Sequence, residues 1–299
     1  MNDYVFLFPA FVLKYKGSEI KNINDSGIDF SVRLKKASEI AGIDLTSFDI
    51  SGNNFMDDEL KNQLITYLIS CSYSDILKAK NILPRQITFL SMGVYSALYS
   101  AESISFNDGI ILIKRIFEYL NNQITGKKYK MLAITGFGMD DIEAIIFAEK
   151  LDCQIVIKNN EHSFIIAGLE EDISVLNKKA QSEGALHLNL FPVSLPYHSK
   201  HIDTNSFTEH LFNGVEIKNP TYKLFSSITQ AGIDTPGAIV TTIFSNLKTF
   251  IDWHKTKTTL IEMGYSHFIE CGPGDSLKRI SKFIDGKHNV YSFSKLLSS

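Results

Sequence analysis

Two residues far apart in the chain have the types and settings for nucleophilic chemistry. Thr88-Phe89-Leu90-Ser91-Met92-Gly93 places a serine between a β-prone run and a proline-free helical stretch. A serine on a strand-to-helix turn is lifted out of its sheet, the geometry of a nucleophile elbow. There the N–H of Met92 and the positive end of the helix can stabilise an oxyanion. The G-x-S-x-G pattern is incomplete, because Phe89 stands at its first glycine. The same placement also suits an ordinary helix cap. A serine hydroxyl needs a base within hydrogen-bond reach, and histidine is the usual one. Of the eight histidines, His198 has the most distinctive setting, Phe191-Pro192-Val193-Ser194-Leu195-Pro196-Tyr197-His198-Ser199. A histidine at such a junction can equally be structural.

The elements that must position this pair follow from hydrophobic periodicity. Val5 to Phe8 reads as a short buried strand ended by Pro9. Helical spacing runs through Ile28 to Ala41 and Asp57 to Lys80. Ile87 to Leu90 is a strand ending at Ser91, with helices at Val94 to Ala101 and from Asn107 to about Asn121. The middle has a different rhythm: strand Met131 to Thr135, helix Asp140 to Lys150, strands Cys153 to Lys158 and Ser163 to Ala167, helix Glu170 to Glu183, strand Ala185 to Val193. This βαββαβ order is the ferredoxin-like split unit. The last third gives helix Ser206 to Phe212, strand Lys223 to Ile228, a mainly helical stretch Ile239 to Glu262, strand His267 to Cys271, the turn Gly272-Pro273-Gly274 and helix Ser276 to Phe283. Strands alternating with helices imply a parallel sheet. The expected fold class is therefore α/β, with a large α/β-hydrolase-like subdomain (1–128 and 195–299) and a small inserted ferredoxin-like subdomain (129–194). Ser91 and His198 are expected to face each other across the cleft between the two.

Composition narrows the function classes. The chain has 299 residues, 44% hydrophobic and 21% charged, enough to bury a sizeable core. A net charge of -3 gives no basic field for nucleic acid. No run of 18 apolar residues suggests a membrane span, and the short apolar N-terminal run reads as a strand rather than a signal peptide. Cys71, Cys153 and Cys271 are odd in number and lack C-x-x-C spacing, which argues for reduced core thiols, a cytoplasmic location and no bound metal.

Several segments, in order, resemble the malonyl-CoA:acyl-carrier-protein transacylase family, including free-standing acyltransferases of polyketide assembly lines. Phe8-Pro9 stands at the family's F-P-G-Q-G-S-Q, and Ser91-Met92-Gly93-Val94-Tyr95-Ser96-Ala97-Leu98 at S-L-G-E-Y-S-A-L. Ser105-Phe106-Asn107-Asp108 stands at S-F-E-D. Pro192-Val193-Ser194 with His198-Ser199 matches P-V-S-x-x-F-H-S, and Phe268-Ile269-Glu270-Cys271-Gly272-Pro273-Gly274 matches F-I-E-V-G-P-G. The resemblance covers nearly the whole chain. It implies an acyl-Ser91 intermediate, His198 as base and a backbone carbonyl orienting that histidine, placed by position at Asp252. It implies oxyanion donors at the backbone of Met92 and Phe11, a pocket residue at Gln63, and acyl-CoA or a phosphopantetheinyl acyl carrier protein as substrate and partner, with no bound cofactor. A second reading on the same fold is an acyl hydrolase that clears carrier proteins. A third is a non-catalytic homologue that only docks a carrier. An unrelated esterase lacks an apparent acidic triad partner.

The departures cluster around the expected site. Phe8-Pro9-Ala10-Phe11-Val12-Leu13-Lys14 has lost both glycines and both glutamines of F-P-G-Q-G-S-Q. The arginine that the family uses for the malonyl carboxylate falls, by ungapped counting, at Ile116. Arg115 lies one residue away, about 100° around a helix, and should point elsewhere as a solvated charge. With Tyr197 beside it, Ile116 is expected to line an apolar pocket for neutral acyl groups.

Overall fold

The apolar run at the N-terminus forms a strand buried on both faces, as a central strand of a parallel sheet must be. The computed structural model describes residues 3–10, 15–49, 58–124, 126–191, 193–204 and 209–297. Strand β1 (Tyr4–Phe8) is followed by helices α1 (Glu19–Asp25), α2 (Phe30–Ala41) and α3 (Glu59–Ala79). Strand β2 (Pro84–Phe89), α4 (Gly93–Ser100) and α5 (Phe106–Gln123) come next. The middle segment contains β3 (Tyr129–Thr135), α6 (Met139–Ala148), β4 (Cys153–Asn160), β5 (Ser163–Leu169), α7 (Glu170–Ser182) and β6 (His187–Phe191). After a 3-10 turn at Glu209–Phe212 come β7 (Leu224–Phe225), β8 (Gly232–Ile233), α8 (Pro236–Lys248), β9 (Ile251–Asp252) and α9 (Trp253–Glu262). The chain closes with β10 (His267–Glu270), α10 (Ser276–Ile280), a 3-10 turn at Ser281–Phe283, β11 (Asn289–Ser292) and α11 (Phe293–Leu297).

These strands form two sheets. The larger has the order β11-β10-β1-β2-β7-β8, with every pairing parallel except the short β7–β8 hairpin. The smaller has the order β6-β3-β5-β4-β9. Its first four strands are antiparallel in the split βαββαβ arrangement. Helices α6 and α7 cover one face, where Leu132, Ile134, Phe164, Ile166, Ile173 and Leu176 are buried together. From the other face Met131, Val156 and Ala167 join Val5, Leu7 and Phe268 of the larger sheet in one shared core.

Three differences from the sequence reading have local causes. The expected strand Lys223 to Ile228 pairs only at Leu224–Phe225, because Ser226 accepts from Gln230 N and donates to Ala231 O to close a turn. The long helical stretch Ile239 to Glu262 is two helices separated by β9, which pairs in parallel with β4. The small sheet therefore takes a fifth strand from outside the βαββαβ run. Of the expected helix Ser206 to Phe212, residues 206–208 lie outside the described residues, and Glu209–Phe212 is a 3-10 turn.

Helix α3 is buried on nearly all sides, so its polar residues need partners within the protein. Asn62 accepts from Tyr15 Oη at 2.9 Å, and Ser74 shares a 2.7 Å bond with Ser100. Lys257 on α9 is different. It is fully buried, its Nζ has no hydrogen-bond partner among the described residues, and it lies 2.8 Å from the centroid of the Phe268 ring. Burial pushes its pKa down from 10.5 to about 6, so the amine is neutral at pH 7. The unfolded chain holds a proton here between those two values and the folded chain does not. This position therefore costs stability at neutral pH, and less as pH rises through that window. Lys257→Met is expected to raise the unfolding free energy at pH 7 and to flatten its rise between pH 6 and pH 10, measured by denaturant unfolding.

Candidate active site

Parallel α/β sheets place binding crevices beyond the carboxyl ends of their strands. Here the neighbouring strands β1 and β2 end together, with Leu90 N donating to Phe8 O at 2.9 Å. The chain then turns sharply through Ser91, whose φ of 54° lies in the left-handed region, and enters α4. A non-glycine residue there stores about 1–3 kcal/mol of strain. The turn is tight enough to require Gly93, since a Cβ at that position would sit 2.3 Å from Phe8 O. At Gly272 a Cβ would meet the Pro9 ring, also at 2.3 Å. The Gly272-Pro273-Gly274 turn thus closes against Pro9 from the other side. Among the described residues nothing accepts from the Met92 N–H, which stays available at the start of α4.

His198 reaches this turn from the segment that leaves the small sheet. Its Nε2 is 2.7 Å from Ser91 Oγ, with the histidine 2% and the serine 9% exposed. Its backbone is also left-handed, at a φ of 62°. The end of α8 holds it there. The last carbonyls of a helix have no partner within it; the His198 N–H donates to Leu247 O at 2.7 Å, and His198 Nδ1 makes a short bond to Asn246 O. A carbonyl can only accept, so Nδ1 carries the proton and Nε2 is left to accept from the Ser91 hydroxyl. The Asn246 side chain completes the arrangement by donating through Nδ2 to Ser91 O at 3.1 Å.

The orienting carbonyl is therefore that of Asn246 and not of Asp252. Asp252 caps α9, its side chain accepting from Lys255 N, and its carbonyl accepts from Thr256 Oγ1 and Gln230 Nε2. The expected placement fails because the interruption by β9 carries Asp252 past the end of α8 onto the small sheet. Phe11 lies outside the described residues. Arg115 turns away as expected, yet it is half-buried and not merely solvated, donating to Leu211 O and Asn213 O at 3.1 and 2.7 Å.

A narrow pocket opens at Ser91 and His198. Met92, Tyr95, Ile113, Ile116, Phe117 and Leu120 supply its apolar wall, with Gln63 and Tyr197 at its polar edge. Among the described residues no arginine or lysine lines it. Gln63 is buried and lines the pocket. Its Nε2 donates to Tyr197 Oη at 2.8 Å, and Tyr197 donates in turn to Glu59 Oε1 at 2.5 Å. Glu59 and Asn246 were not singled out from the sequence. Glu59 in the first turn of a helix reads as an ordinary complement to the helix dipole, and Asn246 lies inside an uninterrupted helical pattern.

No protein-family model matches the chain. Among curated proteins it is 24% identical over 307 aligned positions to a malonyl CoA-acyl carrier protein transacylase of Staphylococcus aureus (strain MW2), covering 99% of this chain and 97% of that protein. The protein of the same description from Bacillus subtilis is 24% identical over 302 positions, covering 97% of this chain and 74% of that one. Over nearly its whole length the chain is thus similar, at low identity, to malonyl CoA-acyl carrier protein transacylases. Solved structures share its fold. The malonyl CoA-acyl carrier protein transacylase of Coxiella burnetii superposes with a TM-score of 0.86 at 20% identity, covering 99% and 96% of the two chains. A malonyl-transacylase in complex with a type II polyketide acyl-carrier protein gives 0.84 at 19%, covering 97% and 96%. Within the transacylase fold, no helix among the described residues of this chain is long and apolar enough to cross a membrane, and no cluster of metal-ligating side chains occurs among them. The three cysteines are free and buried.

Burial lowers the His198 pKa from 6.5 to about 4, with the Asn246 carbonyl partly offsetting it. The imidazole is thus neutral at pH 7. Between pH 6.5 and pH 4 the unfolded chain binds a proton here that the folded chain does not, so this residue's contribution to stability falls as pH drops through that window. An NMR titration of the His198 ring is expected to show a midpoint near 4, with no transition near 6.5.

Proposed function

We propose that this chain is an acyltransferase acting on acyl thioesters of CoA or of a phosphopantetheinyl acyl carrier protein, through an acyl-Ser91 intermediate. The observation that carries the reading is the 2.7 Å contact between Ser91 Oγ and the accepting Nε2 of a buried, neutral His198. In the first half-reaction, His198 takes the hydroxyl proton as Oγ bonds to the thioester carbon. The C–S bond then breaks, and the leaving thiolate takes the proton from Nε2. In the second, His198 deprotonates an incoming thiol, whose sulfur bonds to the acyl carbon; the bond to Ser91 Oγ breaks and Oγ takes the proton back from Nε2. The imidazolium formed in each step faces the negative end of α8, a setting that stabilises positive charge by about 0.3–2 kcal/mol. The tetrahedral oxyanion is placed to accept from the Met92 N–H at the start of α4. A homologue that merely docks a carrier has no need for a formed serine–histidine contact at two strained backbone positions.

The names of the relatives give malonyl as the acyl group that they carry. For this chain we infer neutral, short acyl groups such as acetyl. Among the described residues the pocket presents Ile116 and other apolar side chains with no cation, so a malonyl carboxylate would be desolvated there without an ion partner. The missing charge-assisted pair is worth about 1.5–3 kcal/mol, roughly ten- to hundredfold in rate.

Incubation with acetyl thioester is expected to add an acetyl mass to the intact protein, with no adduct on Ser91→Ala. The kcat/KM for acetyl should exceed that for malonyl by ten- to hundredfold or more, measured with and without an acceptor carrier protein. Faster malonyl turnover would overturn the neutral-acyl reading. Equal release of acetate with and without the acceptor would identify a hydrolase.

A further inference from the structure

Glu59 is a buried carboxylate behind the polar edge of the acyl pocket, and the acyl transfer proposed above gives it no role. It is 8% exposed. Oε1 accepts from Tyr197 Oη at 2.5 Å and lies 3.4 Å from Gln63 Nε2, while Oε2 accepts from Ser194 N at 3.0 Å and Ser194 Oγ at 3.2 Å. No lysine, arginine or histidine pairs with it in this set. Burial raises the Glu59 pKa above the ordinary carboxylate value, and four converging donors, two of them N–H groups that can only donate, oppose that rise and favour the ionised form.

The direction of these bonds decides what the pocket can offer a ligand. The Tyr197 hydroxyl proton goes to Glu59, so its oxygen accepts from Gln63 Nε2. The Gln63 amide nitrogen is thereby committed to Tyr197 and Glu59, and its carbonyl oxygen is turned away from them. An incoming carboxylate would find the Gln63 N–H donors already committed, in front of a buried negative charge. In a low-dielectric site, two like charges disfavour each other strongly.

We propose that Glu59 is a specificity-determining residue, whose charge, relayed through Tyr197 and Gln63, rejects acyl groups that bear a carboxylate. The inference rests on the acyl-Ser91 reading. It adds an active repulsion to the missing cation at Ile116, since specificity is gained by penalising the wrong ligand as well as by favouring the right one.

The test compares initial rates of Ser91 acylation by acetyl and malonyl thioesters in wild type and Glu59→Gln. The isosteric amide keeps an acceptor for Tyr197 and removes the charge. The malonyl-to-acetyl ratio is expected to rise on the order of tenfold, the effect of about one pKa unit of charge interaction. A purely structural role would lower both rates together and leave the ratio unchanged, which would overturn the proposal. Ile116→Arg in the otherwise wild-type chain tests the same charge without touching Glu59. Glu59 should neutralise the introduced guanidinium and hold the malonyl gain below about tenfold, against the ten- to hundredfold of an unopposed charge-assisted pair; a larger gain would overturn the proposal. Absence of acylation by every thioester would sink the acyl-serine reading itself, and the two failures are thus distinct.

Discussion

The candidate site depends on the unpaired carbonyls at the end of α8. A helix must leave its last carbonyls without internal partners, and this one gives two of them to a single residue. Leu247 O fixes the His198 backbone, and Asn246 O fixes its ring and its tautomer. Because the Asn246 side chain also holds Ser91 O, one residue ties the base and the nucleophilic turn to the same helix end. Both Ser91 and His198 occupy left-handed backbone conformations, a cost that only such surrounding restraint sustains. An acidic side chain in that place would add a buried charge. A carbonyl orients the imidazole and leaves the ring neutral.

The walls of the crevice separate their tasks by chemistry. On the α4 and α5 side, isoleucine, leucine, phenylalanine and methionine offer area but no hydrogen bonds. On the α3 side, Gln63 Nε2 belongs to a network centred on Glu59, which also clasps Ser194 and Tyr197 of the histidine segment. The network thus reaches the loop that delivers His198, and it sets the electrostatic character of the pocket. A fully connected polar cluster of this kind is rigid, because losing any one partner strands a buried group.

Much of this was legible in the sequence, and the rest was hidden for physical reasons. The βαββαβ rhythm and the strand–serine–helix run stand out because the period changes from two to 3.6 and back. The segment around His198 is marked by Pro192 and Pro196, although Pro192 itself lies outside the described residues. The end of α8 carries no such mark. Lys248-Thr249-Phe250 contains neither glycine nor proline, and the apolar spacing continues through Ile251 and Trp253 into α9. What breaks the helix is a tertiary pairing, Ile157 with Ile251 and Lys158 with Asp252, and no local signal encodes it. The orienting carbonyl, placed at Asp252 by the resemblance alone, belongs to Asn246 on the near side of that break. Glu59 was hidden differently: its helix is buried all round, so a residue that looks like surface charge has no surface to occupy.

The fifth strand of the small sheet also bears on how separable that unit is. Residues 129–191 contain four of its strands, but β9 arrives from beyond α8 and buries Ile251 and Trp253 in the core shared with Val156 and Ile157. A chimera that exchanged only the contiguous segment with a relative would graft a sheet edge onto a strand shaped for another partner. Residues 249–253 would have to travel with it, and they begin one residue after the helix whose end holds His198. Recombination at this seam therefore exchanges part of the site's own framework along with the accessory sheet.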